Sequence, residues 1–291
     1  MTLEFREATE EYAQSVADLC NAFARAVARE PEIISEEDVL LFWRRECEAR
    51  LVLEGETLVG FAFLQNRGER YDGDGWVHPD AFGCGVGAAI VDWIEIRARE
   101  LGSLEARIGI IREDERAACL LRGRGFEPLR TFFRMVIDLG EEPPAPAWPE
   151  GFAVAALAPG EERELYQVLE DSFVDHWGHS ERTYEQWLAT HTIEHDLCFL
   201  VRAGEEVAAG ALCKREQFGM GWVDVLGTRR EQRRKGLGDA LLRYAFRELY
   251  RRGARCIGLG VDSENPTGAT RLYERAGMRV ASQSDVYAKT L

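Results

Sequence analysis

The sequence predicts an α/β protein made of two copies of one domain in tandem, each a mixed β-sheet flanked by helices. Three observations carry that expectation. Strand-like and helix-like apolar patterns follow one another in the same order twice. The glycines that punctuate them recur at an offset of about 150 residues: Gly87 and Gly102 stand 15 apart, as do Gly238 and Gly253, and Gly125 and Gly277 close the next segment of each half. Solenoid repeats have periods of roughly 20–50 residues, so an offset this long means two domains. Finally, residues 140–150 (GEEPPAPAWPE) hold four prolines and no periodicity, the composition of a semi-rigid linker. The expected division is residues 1–140, a proline-rich linker at 141–150, and residues 151–291.

Each element has its own justification. Residues 5–8 and 152–157 read as first strands. Residues 9–29 and 160–172 read as helices, with Val16, Leu19 and Phe23, and Leu165, Val168 and Leu169, on their apolar faces. Residues 50–53 and 197–201 are strands that turn at Gly55 and Gly204 into the strands near 57–65 and 206–213. A fourth strand follows. In the second half it is apolar, with Val223, Val225 and Leu226; in the first half (71–77, YDGDGWV) it is polar and broken by glycines. In the second half, Leu237, Leu241, Leu242, Ala245 and Leu249 then recur at helical spacing up to Gly253. Residues 104–111 and 256–261 are fifth strands, each followed by a short helix and a final antiparallel pair.

Composition narrows the function. Of 291 residues 46% are hydrophobic, enough for real cores. No apolar run approaches the roughly 20 residues of a membrane span, and the N-terminus has no secretory pattern, so no membrane association is expected. Seven cysteines (Cys20, Cys47, Cys84, Cys119, Cys198, Cys213 and Cys256) lack any CxxC and read as buried thiols in a reducing, cytoplasmic compartment. A net charge of −15 argues against nucleic acid as a partner.

The chemistry-bearing stretch is residues 222–253. A strand leads into a turn with five basic residues in seven (229–235), then Gly236-Leu237-Gly238, then a helix. Glycines admit an anion to the backbone, and the first helical amides have no intrahelical partner, so the stretch is a phosphate cradle. Cations at a helix N-terminus oppose its dipole and call for an anionic ligand. The run is neither GxxxxGK[ST] nor GxGxxG. It fits [Q/R]xxGx[G/A] at Arg233, Gly236 and Gly238, and residues 265–278 (NPTGATRLYERAGM) fit Asn-x3-Ala-x2-Leu-Tyr-x3-Gly with Asn265, Ala269, Leu272, Tyr273 and an adjacent Gly277-Met278.

These two motifs, in this order, resemble those of the GNAT superfamily of N-acetyltransferases, and the resemblance covers almost the whole chain, twice. Within that superfamily the doubled layout is similar to that of the mycothiol synthases, which acetylate the cysteinyl amine of a thiol precursor. The resemblance implies two GNAT-like domains with mostly antiparallel sheets and acetyl-CoA as co-substrate, with no metal. It implies that the cofactor is held by Leu226, Gly227, Thr228, Arg233, Arg234, Lys235, Gly236, Leu237, Gly238 and Asn265. Direct transfer of the acetyl group to a primary amine of a small molecule then needs an acid for the leaving thiolate and a base for the ammonium. Tyr273 is the acid the motif points to, although its helix would also use it for core packing. Many relatives carry a glutamate on the fourth strand; this sequence departs there and offers Asp224 as the catalytic carboxylate, with Asp262 as competitor and a water as a third choice. Asn265 either contacts the pantetheine arm or, with Pro266, caps the next helix.

His191 and His195 formally fit the zinc pattern HxxEH, but without a third ligand signature they read, with His176 and His179, as surface or acceptor-pocket residues. Phe173, Trp177, Tyr184 and Trp187 are candidates for the same pocket. The first half keeps the glycine turn (residues 83–87) but has Phe82 for Arg233, Glu113 for Asn265 and Leu121 for Tyr273. It reads as a structural or degenerate partner of a catalytic second half, able at most to hold CoA through backbone amides. A non-catalytic acyl-CoA sensor or assembly module is the alternative for the whole chain.

Overall fold

A computed structural model describes residues 2–43, 47–67, 70–179 and 181–291. It separates into two compact units, one of Met1–Phe133 with Ser282–Leu291 and the other of Arg134–Ala281.

The first unit contains β1 (Leu3–Glu7), α1 (Ala13–Val27), α2 (Glu36–Trp43), β2 (Cys47–Glu54), β3 (Thr57–Asn66), β4 (Tyr71–Val77), α3 (Val86–Glu100), β5 (Glu105–Ile111) and α4 (Glu115–Gly123). The strand β6 (Glu127–Asp138) begins in this unit and ends in the second. The second unit continues with β7 (Ala153–Ala156), α5 (Glu162–Phe173), α6 (Tyr184–Thr190), β8 (Cys198–Ala203), β9 (Glu206–Gln217), β10 (Met220–Thr228), α7 (Leu237–Arg251), β11 (Cys256–Asp262) and α8 (Ala269–Arg275). The strand β12 (Arg279–Thr290) leaves it and ends in the first.

The strands of the first unit lie in the order β1-β2-β3-β4-β5-β12 and those of the second in the order β6-β11-β10-β9-β8-β7. β4–β5 and β10–β11 are parallel. The pairs β1–β2, β2–β3, β3–β4 and β5–β12, and likewise β7–β8, β8–β9 and β9–β10, are antiparallel. The mixed, mostly antiparallel sheet with flanking helices expected from the sequence is therefore present in each unit.

Two expectations change. Among the described residues neither half forms a final antiparallel pair of its own. One long strand follows each short helix, and β5 takes its antiparallel neighbour from the far end of the chain, from Ser284↔Ile111 to Thr290↔Glu105. In the second unit β6 neighbours β11, and Leu139 N–H continues that edge by donating to Arg255 O at 2.7 Å. The compact units accordingly divide at 133/134, and the last ten residues return to the first unit, whereas the proline run suggested a division at 141–150. Local patterning marks a strand but not the edge it joins, which is a long-range choice.

The glycines of β4 also have a different meaning from a merely weakened strand. A Cβ on Gly75 would stand 2.5 Å from Ile90 Cγ2, and one on Gly73 3.0 Å from Ile94. Both isoleucines are buried in the core that α3 forms on this sheet, so the glycines let the helix approach. In the second unit, Leu165, Val168 and Leu169 of α5 pack with Trp187 of α6 and with Cys198, Leu200 and Leu212 of the sheet. Among the described residues no helix is long and apolar enough to cross a membrane.

Candidate active site

The site starts where two strands part. On one edge β10 follows β9 to its end, with Val225↔Leu212 through Thr228↔Ala209. On its other edge, among the described residues, it pairs with β11 at Gly221↔Ile257 and Trp222↔Gly258. Beyond those positions β10 runs on to Thr228 and β11 to Asp262. Successive peptide groups of a strand point to opposite edges, so those of residues 223–228 turned away from β9 face a gap. A register shift between Val223 and Val225 makes Asp224 an extra residue, a bulge where the strands diverge.

Residues 229–236 then lead into α7. Gly236 caps this helix in the left-handed region, at φ 87° and ψ −2°, preceded by Arg234 at φ 63°. The first helical bond runs from Ala240 N–H to Gly236 O at 3.1 Å, so the amides of Leu237, Gly238 and Asp239 precede the ladder. Leu237 is buried and anchors the turn. At Gly227 a Cβ would meet Ser172 Cβ at 2.6 Å, so glycine there lets the end of α5 close over β10. Arg229 Nε is buried with no partner among the described residues.

The structure itself answers part of the basic run's charge. Arg229 pairs with Asp171 at 3.2 Å, and Arg230 and Arg233 pair with Asp175 at 2.7 and 3.7 Å. Arg233 also donates to Thr228 O at 3.2 Å and Ser172 O at 2.9 Å, tying the turn to β10 and α5. Lys235 Nζ reaches Gln232 Oε1 at 2.6 Å. The left-handed cap and the amides of Leu237, Gly238 and Asp239 ahead of the helical ladder fit the diphosphate of a CoA molecule, and the gap beside β10 fits an extended arm.

The remaining sequence candidates fall as follows. Tyr273, on α8, is only 9% exposed, and burial pushes its hydroxyl up to about 12. Asn265 Oδ1 accepts from Thr267 N–H at 2.9 Å and from Thr267 Oγ1 at 2.6 Å, folding a turn of its own. The helix after it starts at Ala269 with Gly268 as its cap, so neither Asn265 nor Pro266 holds a capping position. Asp262 Oδ1 accepts Glu264 N–H at 2.9 Å. Asp224 is ion-paired to Lys214 Nζ at 3.0 Å, and Lys214 is 4% exposed.

His195 is bound to Glu162 at 2.7 Å, and His191 to the Trp187 carbonyl at 2.8 Å. His176 packs on Phe173 with ring centroids 4.3 Å apart, and burial and Arg233 lower its pKa, with Asp262 opposing. Trp187 belongs to the core, whereas Trp177 is part-exposed. Sequence reasoning passed over Lys214, although a lysine next to the apolar run 207–213 is itself a signal, because a buried ammonium needs a counter-ion.

The first unit builds the same turn without this chemistry. Gly85 caps α3 at φ 88° and ψ −3°. Phe82 lies 3.7 Å beneath the Arg116 guanidinium. The β3–β4 register is unbroken, so β4 has no bulge, and the parallel pairing of β4 with β5 covers Tyr71↔Ala106 to Gly73↔Ile108.

Comparison with known proteins agrees with this geometry. The profile of the acetyltransferase (GNAT) family matches residues 14–126 and again 162–278. A mycothiol acetyltransferase of Catenulispora acidiphila is 30% identical over 250 residues, 82% of this chain and 79% of the relative. The crystal structure of a GCN5-related N-acetyltransferase from Sphaerobacter thermophilus superposes with a TM-score of 0.83 at 31% identity, covering 99% of this chain and 95% of that one. A tandem GNAT protein from the clavulanic acid biosynthesis pathway shares the fold at a TM-score of 0.79 and 16% identity, covering 99% and 98% of the two chains. With both halves matched and relatives aligned along most of its length, this chain belongs to the acetyltransferase (GNAT) family and is an acyltransferase of its tandem type.

Proposed function

We propose that the C-terminal half transfers an acetyl group from acetyl-CoA to the primary amine of a small molecule by direct attack. The observation that carries this is the divergence of β10 from β11 beside the left-handed cap of α7. The amides of Leu237 and Gly238, with Arg234 and Lys235, hold the diphosphate, and Arg233 keeps the turn in shape through Thr228 and Ser172. Leu226 and Gly227 line the gap, with Asn265 beyond it. When bound, the cofactor supplies an acyl thioester. Backbone N–H groups of β10 that lack a strand partner are the donors for its carbonyl oxygen. Asp224 faces the acceptor and draws its ammonium in, and a base beside it removes the proton. Tyr273, whose hydroxyl burial keeps protonated, gives a proton to the departing thiolate. The relatives named mycothiol acetyltransferases make an amine on a mycothiol-related thiol the first acceptor to test.

The test is incubation with acetyl-CoA and a library of primary amines spanning cysteinyl compounds, amino sugars, polyamines and free amino acids, with the acetylated product read by mass. Amine-dependent product is the expected outcome. Acetyl-CoA binding with no acetylated amine would turn the reading to an acyl-CoA sensor.

A further inference from the structure

We infer that His191 is the base that takes the proton of the acceptor's ammonium, through its Nε2, beside the Lys214–Asp224 ion pair. The inference rests on the acetyl-transfer reading above and names a group that reading leaves open.

The argument begins with how α6 is built. Thr183 starts this helix with a reciprocal capping box to Gln186, and His191 ends it at φ −126°, ψ 135°. The imidazole stacks on Trp187 with centroids 4.9 Å apart and planes 26° from parallel, and Trp187 is 1% exposed. One face of the ring therefore lies on a fixed wall. Nδ1 is 2.8 Å from the Trp187 carbonyl oxygen, which can only accept. Nδ1 therefore carries the ring proton, and Nε2 is left with its lone pair. Thr190 Oγ1, 3.1 Å from the same Nδ1, is within reach of the carbonyls of Gln186 and Trp187, so it can donate to them and accept from the ring.

The ring is also kept neutral. Burial lowers its pKa below the usual histidine value; the Trp187 carbonyl and Asp224 oppose this, and Arg182 and Lys214 add to it. The fold brings the ring toward that ion pair: Trp187, its wall, belongs to the cluster against which Val225, the residue after Asp224, packs. The other histidines are less suited. His195 is committed to Glu162, and no hydrogen bond among the described residues fixes a tautomer on His176. Asp224 is committed to Lys214 at 3.0 Å.

The proton balance is complete. The ammonium gives one proton to Nε2, and the freed lone pair forms the C–N bond as the C–S bond breaks. The thiolate takes a proton from Tyr273, which the second proton of the nitrogen replaces. The imidazolium releases its proton to solvent, so one proton leaves per turnover.

The experiment uses the full chain, with the fastest amine from the library as acceptor. His191→Asn retains an N–H for the Trp187 carbonyl but has no basic nitrogen, and His191→Ala removes both. The expected result for His191→Asn is a loss of about 100-fold in kcat at pH 7. Its KM for acetyl-CoA stays within about two-fold, because the group acts on the other substrate. The acidic limb of the kcat profile disappears, and the deficit shrinks toward pH 10, where the amine is increasingly neutral without help. A deficit equal at every pH, or none, would overturn the assignment while leaving acetyl transfer intact. Imidazole nitrogen NMR of the wild type gives a readout free of turnover: protonated Nδ1 with bare Nε2 is expected, and a proton on Nε2 refutes the inference. If no amine is acetylated although acetyl-CoA binds, the parent reading fails and this one with it.

Discussion

At the turn before its long helix the N-terminal half sets Gly85 at φ 88°, ψ −3°, and the C-terminal half sets Gly236 at φ 87°, ψ −2°. Backbone geometry is thus shared almost to the degree, while everything placed on it differs. One half has Phe82 beneath Arg116, the other Arg233 clamped to Ser172 and Thr228. One half has an unbroken fourth strand, the other a bulge at Asp224. The short helix carries buried Leu121 in one and buried Tyr273 in the other. The turn survives because the fold needs it to pass from strand to helix. Charge, bulge and hydroxyl are not needed for that passage, so they mark the half where chemistry is expected.

The largest effect expected is structural. Deleting residues 282–291 strips β12 from β5 and leaves that edge of β5 unpaired. That unit should then melt early, by more than about 10 °C for a loss this size. The second unit keeps β6 beside β11 and should melt near its usual temperature. Proteolysis with mass mapping would show which half opens. If the C-terminal half opens instead, each half is self-contained and the exchange of strands is wrong.

Next comes the hydroxyl. Tyr273→Phe should lower kcat about 100-fold or more with acetyl-CoA affinity near wild type, since only a proton donor is removed. Its counterpart, Leu121→Ala, should cost about 2–5 kcal/mol of stability and leave turnover per folded molecule unchanged. Equal losses of turnover would mean that both halves contribute to the chemistry. Collapse of affinity in Tyr273→Phe would make this a packing residue.

These contrasts indicate what a sequence can and cannot carry. The turn and α7 were legible because Gly236, Gly238 and the leucines of α7 act within one local segment. The partner of β12 was not, because a strand's pattern records which face is buried and not which of several edges, far away in the chain, it will join. Gly73 and Gly75 looked like damage until Ile90 and Ile94 supplied the reason for them. From the sequence His191 is a surface or acceptor-pocket residue within a loose zinc pattern, with nothing to set it apart from the histidines near it. Its tautomer depends on a carbonyl of the helix turn before it and on the Trp187 ring, which appear once α6 is folded. Lys214 and Asp224 lie on separate strands, and their 3.0 Å contact exists once β9 and β10 are paired.

The smallest expected effect sharpens the comparison at the fourth strand. Asp74 stands next to where the bulge would be, and the register places Val225 at the same point of the other half. Asp74 retains some contact with solvent, yet the protein around it desolvates the carboxyl. Burial, reinforced by Asp72 and opposed by the Gly109 N–H, raises its pKa from 3.8 to about 8. A carboxyl whose pKa is raised on folding binds a proton in the native state that the unfolded chain has already released. Stability of the first unit should therefore fall as the pH rises from about 4 to about 8, and level off above that. Residual solvent contact reduces the size of this slope but not its sign. Asp74→Asn removes the titration while keeping an oxygen for the Gly109 N–H. It should raise the melting temperature of the first unit by on the order of 5 °C at pH 8.5 and change it little at pH 5. Val225→Asn, the matching change in the other half, should show no such pH dependence. If Asp74→Asn instead lowers the melting temperature at both pH values, Asp74 is held as a carboxylate by a bond the amide cannot replace. The fourth strand of that half would then carry a fixed negative charge where the other half has Val225.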